Sequence, residues 1–336
     1  MVPREWDPAT TIGFDIETSG ELPEYALQPW RVKDRQAWMT TWAWTSPDGP
    51  VDGGHMPKVI EVRARVQRWV DQGLTVCAWN AAFEIAWLCA YGCEDLVHQI
   101  RWIDGMLLWR HLEVEPEWGT QRNKRRSFGL KDAVRKYRPD KAGYEDDVDF
   151  HDTSPAARAK LLEYNKDDAE LTLDITRMLY EDLAKDPRRL AVALIEAQSL
   201  SLVGDANYRG MNIDRVWCKH LAAELQAEAA QMLSELEPHG VTEKVVRSPK
   251  KLATLLFDEW GLTPLKTSAA GNRSTDKETL HELSAVDDRV SKVRTYREAL
   301  NNVKKFALNP LEAAEYNNGG CFFNDTATTE IYTGRM

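Results

Sequence analysis

Asp15 and Glu17 stand two residues apart in the run Thr11-Ile12-Gly13-Phe14-Asp15-Ile16-Glu17-Thr18. The run is apolar and β-branched up to its carboxylates, which is the composition of a strand, and strand residues i and i+2 share a face. The pair then presents four carboxylate oxygens side by side. Like charges at that spacing repel unless a cation lies between them, and hard oxygen donors suit Mg²⁺ or Mn²⁺. An Asp-x-Glu alone is more often an ordinary strand running into a polar turn, because the pattern is short. Two further pieces alter the balance. Glu84 opens a helical stretch after a short apolar strand, with Asn80 just ahead of it, and Tyr164 and Asp168 are four apart, so that on a helix they share a face. A helical Glu is usually solvated and Tyr-x-x-x-Asp is common by chance, but the order and spacing of the set are jointly much more specific.

The elements that must position these groups alternate. Ala37–Trp44 reads as a second strand, Pro47-Asp48-Gly49 as a turn, and Val51 onward as a returning strand. Val59–Val70 has helical apolar spacing and Gly73 as its stop, Leu74–Trp79 is a short strand, and Ala82–Tyr91 a helix. Ile100–Ile103 followed by Gly105–Leu112 repeats the strand-to-helix pattern, and Pro155 opens a long helical region reaching about Leu183, expected to be punctuated near Tyr164. This is an α/β domain with a mixed or largely parallel sheet. Between these elements, Gln121–Lys141 is strongly basic and Tyr144–Asp152 acidic; the basic stretch is either a solvated helix face or a phosphate-contacting surface. Beyond Lys185 strand signals stop. Leu190–Leu202, Val216–Leu236, Pro249–Trp260, Lys277–Leu283 and Val290–Phe306 read as helices, with N-cap chemistry at Ser248 and Ser274-Thr275-Asp276. The composition shift sets expected domains at 1–185 and 186–310, with a tail over 311–336.

Composition narrows the class. A length of 336 residues suggests about two domains. A hydrophobic content of 43% with 29% charged residues is that of a soluble globular protein, and no run is apolar enough for a membrane span or a signal peptide. Cys77, Cys89, Cys93, Cys218 and Cys321 are odd in number and form no Cys-x-x-Cys pair, which fits free thiols in a reducing cytoplasm better than a zinc site. With a net charge of −10, any nucleic-acid contact must come from local basic patches.

The acidic set resembles the DEDD exonuclease superfamily in the form whose third motif carries Tyr. The matching text is Phe14-Asp15-Ile16-Glu17-Thr18, Asn80-Ala81-Ala82-Phe83-Glu84 and Tyr164-Asn165-Lys166-Asp167-Asp168. The resemblance implies a ribonuclease H-like fold and hydrolysis of phosphodiesters by two divalent ions, Mg²⁺ or Mn²⁺, about 3.5–4 Å apart. It gives Asp15, Glu17 and Asp168 to the ion that activates water, makes Asp15 a bridge to the second ion, and has Glu84 complete the site. Tyr164 would orient the water; a phenol of pKa near ~10 is no base at neutral pH. Thr18, Asn80 and Phe83 would hold the terminal nucleotide. One departure is that the second motif usually ends in Asp, and Glu84 reaches one methylene further.

The helical half resembles the thumb of family A DNA polymerases, closer to the phage-type branch. The matching text is Gly210-Met211-Asn212-Ile213-Asp214, Ser248-Pro249-Lys250-Lys251-Leu252, Leu256–Leu262, Leu265-Lys266-Thr267-Ser268, Ser274-Thr275-Asp276 and Tyr296–Phe306. The resemblance implies contact with duplex DNA backbone by Lys266, Thr267, Ser274 and Thr275, and single-stranded 3′ ends at the exonuclease site. The expectation is a monomeric cytoplasmic 3′→5′ proofreading exonuclease without palm and fingers. The alternatives are an exonuclease fold that has lost activity and only holds DNA, and an RNA-processing exonuclease, which the thumb motifs disfavour. Asn324–Thr333 can be written as an in-frame sequencing adapter, so 322–333 is expected to be an artefactual segment without packing.

Overall fold

The computed structural model describes residues 6–47, 49–113, 127–146, 148, 154–267, 271–316 and 320–321. Two compact units divide the chain, Met1–Gly210 and Met211–Met336. In the first, β1 (Thr11–Gly20) pairs antiparallel with β2 (Ala37–Ser46), and β2 with β3 (Gly49–His55). On its other edge β1 runs parallel to β4 (Thr75–Ala78), which runs parallel to β5 (Arg101–Asp104). The sheet is mixed, as expected, in the order β3-β2-β1-β4-β5. Its helices are α1 (Val59–Asp71), α2 (Ala81–Ala90), α3 (Gly105–Leu112), α4 (Leu130–Tyr137), α5 (Pro155–Leu183), α6 (Pro187–Ala197) and α7 (Leu200–Arg209).

The period-two alternation of β1 decides which residues meet which layer. Ile12, Phe14 and Ile16 enter a core with Val62, Val66 and Trp69 of α1 and Ile85 and Leu88 of α2. Gly13, Asp15 and Glu17 alternate with them on the other face, where α5 lies. A second core joins Cys77 and Ile103 of the sheet to Leu108 of α3, Val134 of α4 and Leu171, Ile175 and Leu179 of α5. The contact between β1 and α5 is close because residue 13 is glycine. A Cβ there would fall 2.1 Å from the Ala169 carbonyl oxygen.

Where one helix was expected over Leu190–Leu202, there are two, α6 and α7. The second is drawn onto α2 at a distance only glycine allows, since a Cβ on Gly204 would lie 2.4 Å from Ile85 Cγ2. Ala197 and Leu200 complete the first core and Ala193 the second. The expected boundary after residue 185 marks the end of strand signals, whereas the units divide at Gly210.

The second unit contains α8 (Arg215–Leu236), α9 (Glu243–Val246), α10 (Pro249–Ala253), α11 (Lys277–Leu283), α12 (Asp288–Asn302) and α13 (Asn309–Tyr316). Asp214, Ser248 and Asp276 cap α8, α10 and α11 by accepting backbone N–H bonds from Trp217, Lys251 and Thr279. Leu236, Val241, Leu252, Leu256, Leu280, Val293 and Tyr296 form its core. Helical turns widen over Thr254–Glu259 and Val303–Leu308, inside stretches expected to be regular. The expected all-helical character is modified by a short antiparallel pair, β6 (Met211–Asn212) with β7 (Gly320–Cys321). The suspected segment 322–333 and the basic residues Arg122, Lys124, Arg125 and Arg126 lie outside the described residues. Among the described residues no helix is long and apolar enough to cross a membrane.

Candidate metal centre

Carboxylate oxygens of Asp15, Glu17 and Asp168 lie within 4.8 Å of one another. Asp15 and Glu17 come from β1, and Asp168 from the buried face of α5, which also carries Tyr164, Asn165, Ala169 and Thr172. Gly13 permits the approach that closes the group. Asn165 Nδ2 donates to Asp15 Oδ2 at 2.5 Å, fixing that carboxylate across the strand-helix gap. Asp168 accepts from the Lys131 ammonium and the Tyr144 hydroxyl, and Lys131 also meets the Tyr144 hydroxyl. The Tyr144 and Tyr164 rings stack with centroids 5.7 Å apart, and the Lys131 Nζ lies 4.4 Å and 4.3 Å from their centres.

Burial pushes all three carboxyls above their ordinary range, and neighbouring negative charge adds to it at Asp15 and Glu17. Asp15 rises well above it, through burial and then the charges of Asp168, Glu17 and Glu84. Glu17 is pushed up to about 8 by burial and Asp168. Asp168 is raised by burial, against the opposing effect of Lys131. The Tyr164 phenol is raised by burial and by the charges of Asp168, Glu17 and Asp15, so it remains a proton donor.

Glu84 stands outside the close group but near it. It is buried on the first turn of α2, its Oε2 has no hydrogen-bond partner, and burial raises its carboxyl well above the ordinary range. Its place is set by Asp104 at the end of β5. The Asp104 carboxylate accepts from the backbone N–H groups of Asn80 (3.1 Å) and Ala81 (3.0 Å) and caps α3 through Met106 (2.9 Å) and Leu107 (3.2 Å). Asn80 adopts the left-handed conformation, with φ 68°. The donor set fits divalent ions on two observations: three hard carboxylates converge, and a fourth buried one has an oxygen without a partner.

The expected DNA contacts vary in exposure. Thr18 Oγ1 donates to the Ala26 carbonyl at 2.5 Å, just past an irregularity in the β1–β2 register. Phe83 is half-buried against the first core and lies 6.2 Å from the Trp87 ring. In the second unit Lys266 is exposed and paired with Asp276 (3.0 Å) and Glu278 (3.3 Å), and Thr267 is exposed and bridges to Arg273. Ser274 is half-buried, with its hydroxyl accepting from the Asp276 N–H at 3.2 Å. Thr275 is buried, which leaves its side chain little surface to offer a phosphate.

Part of the chain has sequence counterparts among curated proteins. It is similar to bacterial DNA polymerase I. The enzyme of Deinococcus radiodurans is 27% identical over 155 residues, 46% of this chain and 16% of that protein. The thermostable DNA polymerase I of Thermus thermophilus is 31% identical over 162 residues, 47% of this chain and 18% of that protein. The matches thus span less than a fifth of the length of these two relatives. No family model matches the chain. The fold is like that of the POL domain of Pol1 from M. smegmatis, solved with DNA primer-template and dNTP, at a TM-score of 0.57 and 17% identity over 93% of this chain and 48% of that one.

Beside the polymerase I resemblance, three residues at the centre carried no individual signal in the sequence. Lys131 was one charge in a basic run, Tyr144 the first residue of an acidic loop, and Asn165 an interior letter of the third motif. Asn165 could have been found from helical spacing, because it flanks Tyr164 and Asp168 on the face turned to β1.

Proposed function

We propose that this chain is a metal-dependent 3′→5′ exonuclease acting on DNA, the proofreading part of a family A DNA polymerase of the phage type, on a ribonuclease H-like domain. The convergence of Asp15, Glu17 and Asp168 beside Tyr164 carries the reading. Two divalent ions, when bound there, would supply charge stabilisation on the attacking and leaving oxygens of an in-line displacement. Asp15, Glu17 and Asp168 would hold them, with Glu84 completing the set. Asn165 keeps Asp15 aimed at the group. Tyr164, protonated throughout the working pH range, donates a hydrogen bond and so orients a water without taking its proton. Asn80 and Phe83, on the same turn as Glu84, would meet the terminal nucleotide, and a frayed 3′ end would supply the single strand such a site needs.

The test is degradation of 5′-labelled single-stranded DNA with Mg²⁺ or Mn²⁺. The expected outcome is a ladder shortening from the 3′ end, abolished by EDTA and reduced at least ~100-fold in Asp15→Ala. A folded protein that binds the DNA and leaves it intact would instead be a DNA-binding module. The position of Glu84 outside the close group is the observation favouring that second reading.

A further inference from the structure

The role of Lys131 goes beyond the carboxylate set and rests on the metal-centre reading above. Its ammonium takes the position, against Asp168, where a cation is needed. It bonds Asp168 Oδ1, and the same oxygen accepts from Tyr144, so the lone pairs of that oxygen are engaged by two donors. Its charge is also felt at Asp15 and Glu17. One ammonium thus offsets part of the repulsion within the group while no ion is bound. A divalent ion at Asp168 and an ammonium on the same oxygen repel each other, so binding one loosens the other.

The surroundings also steady the ammonium. Lys131 sits on the first turn of α4, its side chain 26% exposed, and two stacked phenol rings lie 4.3–4.4 Å from its Nζ. Withdrawn from Asp168, the charge keeps both water and the ring faces.

We propose that Lys131, braced by Tyr144, is an internal counter-cation that holds Asp168 in its ligand position and yields that carboxylate to the incoming divalent ion. Lys131 is on this account a positioning residue whose charge sets the metal affinity of the centre. Removing the charge while keeping the chain length removes the competitor. Keeping the charge preserves the competition.

The experiment is titration of the metal-free full chain with Mn²⁺, free ion being read by electron paramagnetic resonance without DNA present. Wild type, Asp15→Ala, Lys131→Met, Lys131→Arg and Tyr144→Phe are compared. Asp15→Ala is expected to lose the tight site, which locates it at the carboxylates. Lys131→Met is expected to bind Mn²⁺ about tenfold more tightly than wild type, and Lys131→Arg within about threefold of it. Tyr144→Phe, which removes only the brace, should shift affinity in the same direction as Lys131→Met and keeps the inference testable should that variant not fold. Equal or weaker binding in Lys131→Met and Tyr144→Phe, with the site lost in Asp15→Ala, overturns the role of Lys131 alone. Binding unaffected by Asp15→Ala overturns the metal-centre reading and this inference with it.

Discussion

Glu17 shows what a single side chain gives up to be part of this centre. Burial and the charge of Asp168 raise its carboxyl to about 8, and Asp15 and Asp168 are raised with it. Between about pH 4.5 and 8 the folded, metal-free protein therefore holds more protons than the unfolded chain. Stability from these groups is full on the acid side of that window and is lost as pH rises through it. The thermal midpoint in EDTA should fall between about pH 5 and pH 8, and Mg²⁺ should recover more of it at pH 8, where ionised carboxylates need the cation. An equal Mg²⁺ effect at both pH values would count against a metal role for these residues. Asp15 and Glu17 were legible in sequence because a strand repeats every two residues. Lys131 was not, because a long flexible side chain can reach a site that its neighbours in sequence do not mark.

At the level of elements, the centre depends on how closely β1 and α5 approach. The Cβ of an alanine at position 13 would meet backbone, the Ala169 carbonyl at 2.1 Å, and backbone cannot swing aside. Gly13→Ala should cost about 2–3 kcal/mol or more in denaturant unfolding, and should weaken Mn²⁺ binding by parting Asp15 from Asp168. Normal stability and normal binding in that variant would show that the contact is softer than the geometry indicates. The strands, α1, α2, α3 and the long α5 were readable from periodicity and caps. The break between α6 and α7 was not, because neither Gly nor Pro marks it and its cause lies in the packing of Gly204 on Ile85. Asp104 was equally hidden, since its four backbone hydrogen bonds join the starts of two helices that are separated in sequence.

For the molecule as a whole, the units differ in what each needs to fold alone. The first unit runs to Gly210, and Ala193, Ala197 and Leu200 belong to its two cores. A chain of residues 1–210 should fold cooperatively and shorten single-stranded DNA on its own. A chain ending at 185 would uncover the α2 surface that α7 packs against, and should aggregate or melt well below the longer one. Comparable thermal midpoints for the two would place α6 and α7 outside the folding unit. The second unit is held by its own core around Leu252, Leu280 and Tyr296, so its removal should not unfold the first.

The sequence by itself determined the residue types of the centre, their order, and the strand and helices that carry most of them. Local periodicity and capping depend on neighbours along the chain, which a sequence displays directly. Only the tertiary structure decided that Asp15, Glu17 and Asp168 close to within 4.8 Å, that Glu84 stands apart with an unpartnered oxygen, and that Lys131 and Tyr144 reach Asp168. These outcomes depend on the separation of packed layers and the reach of side chains, and both are fixed by contacts between residues far apart in the chain.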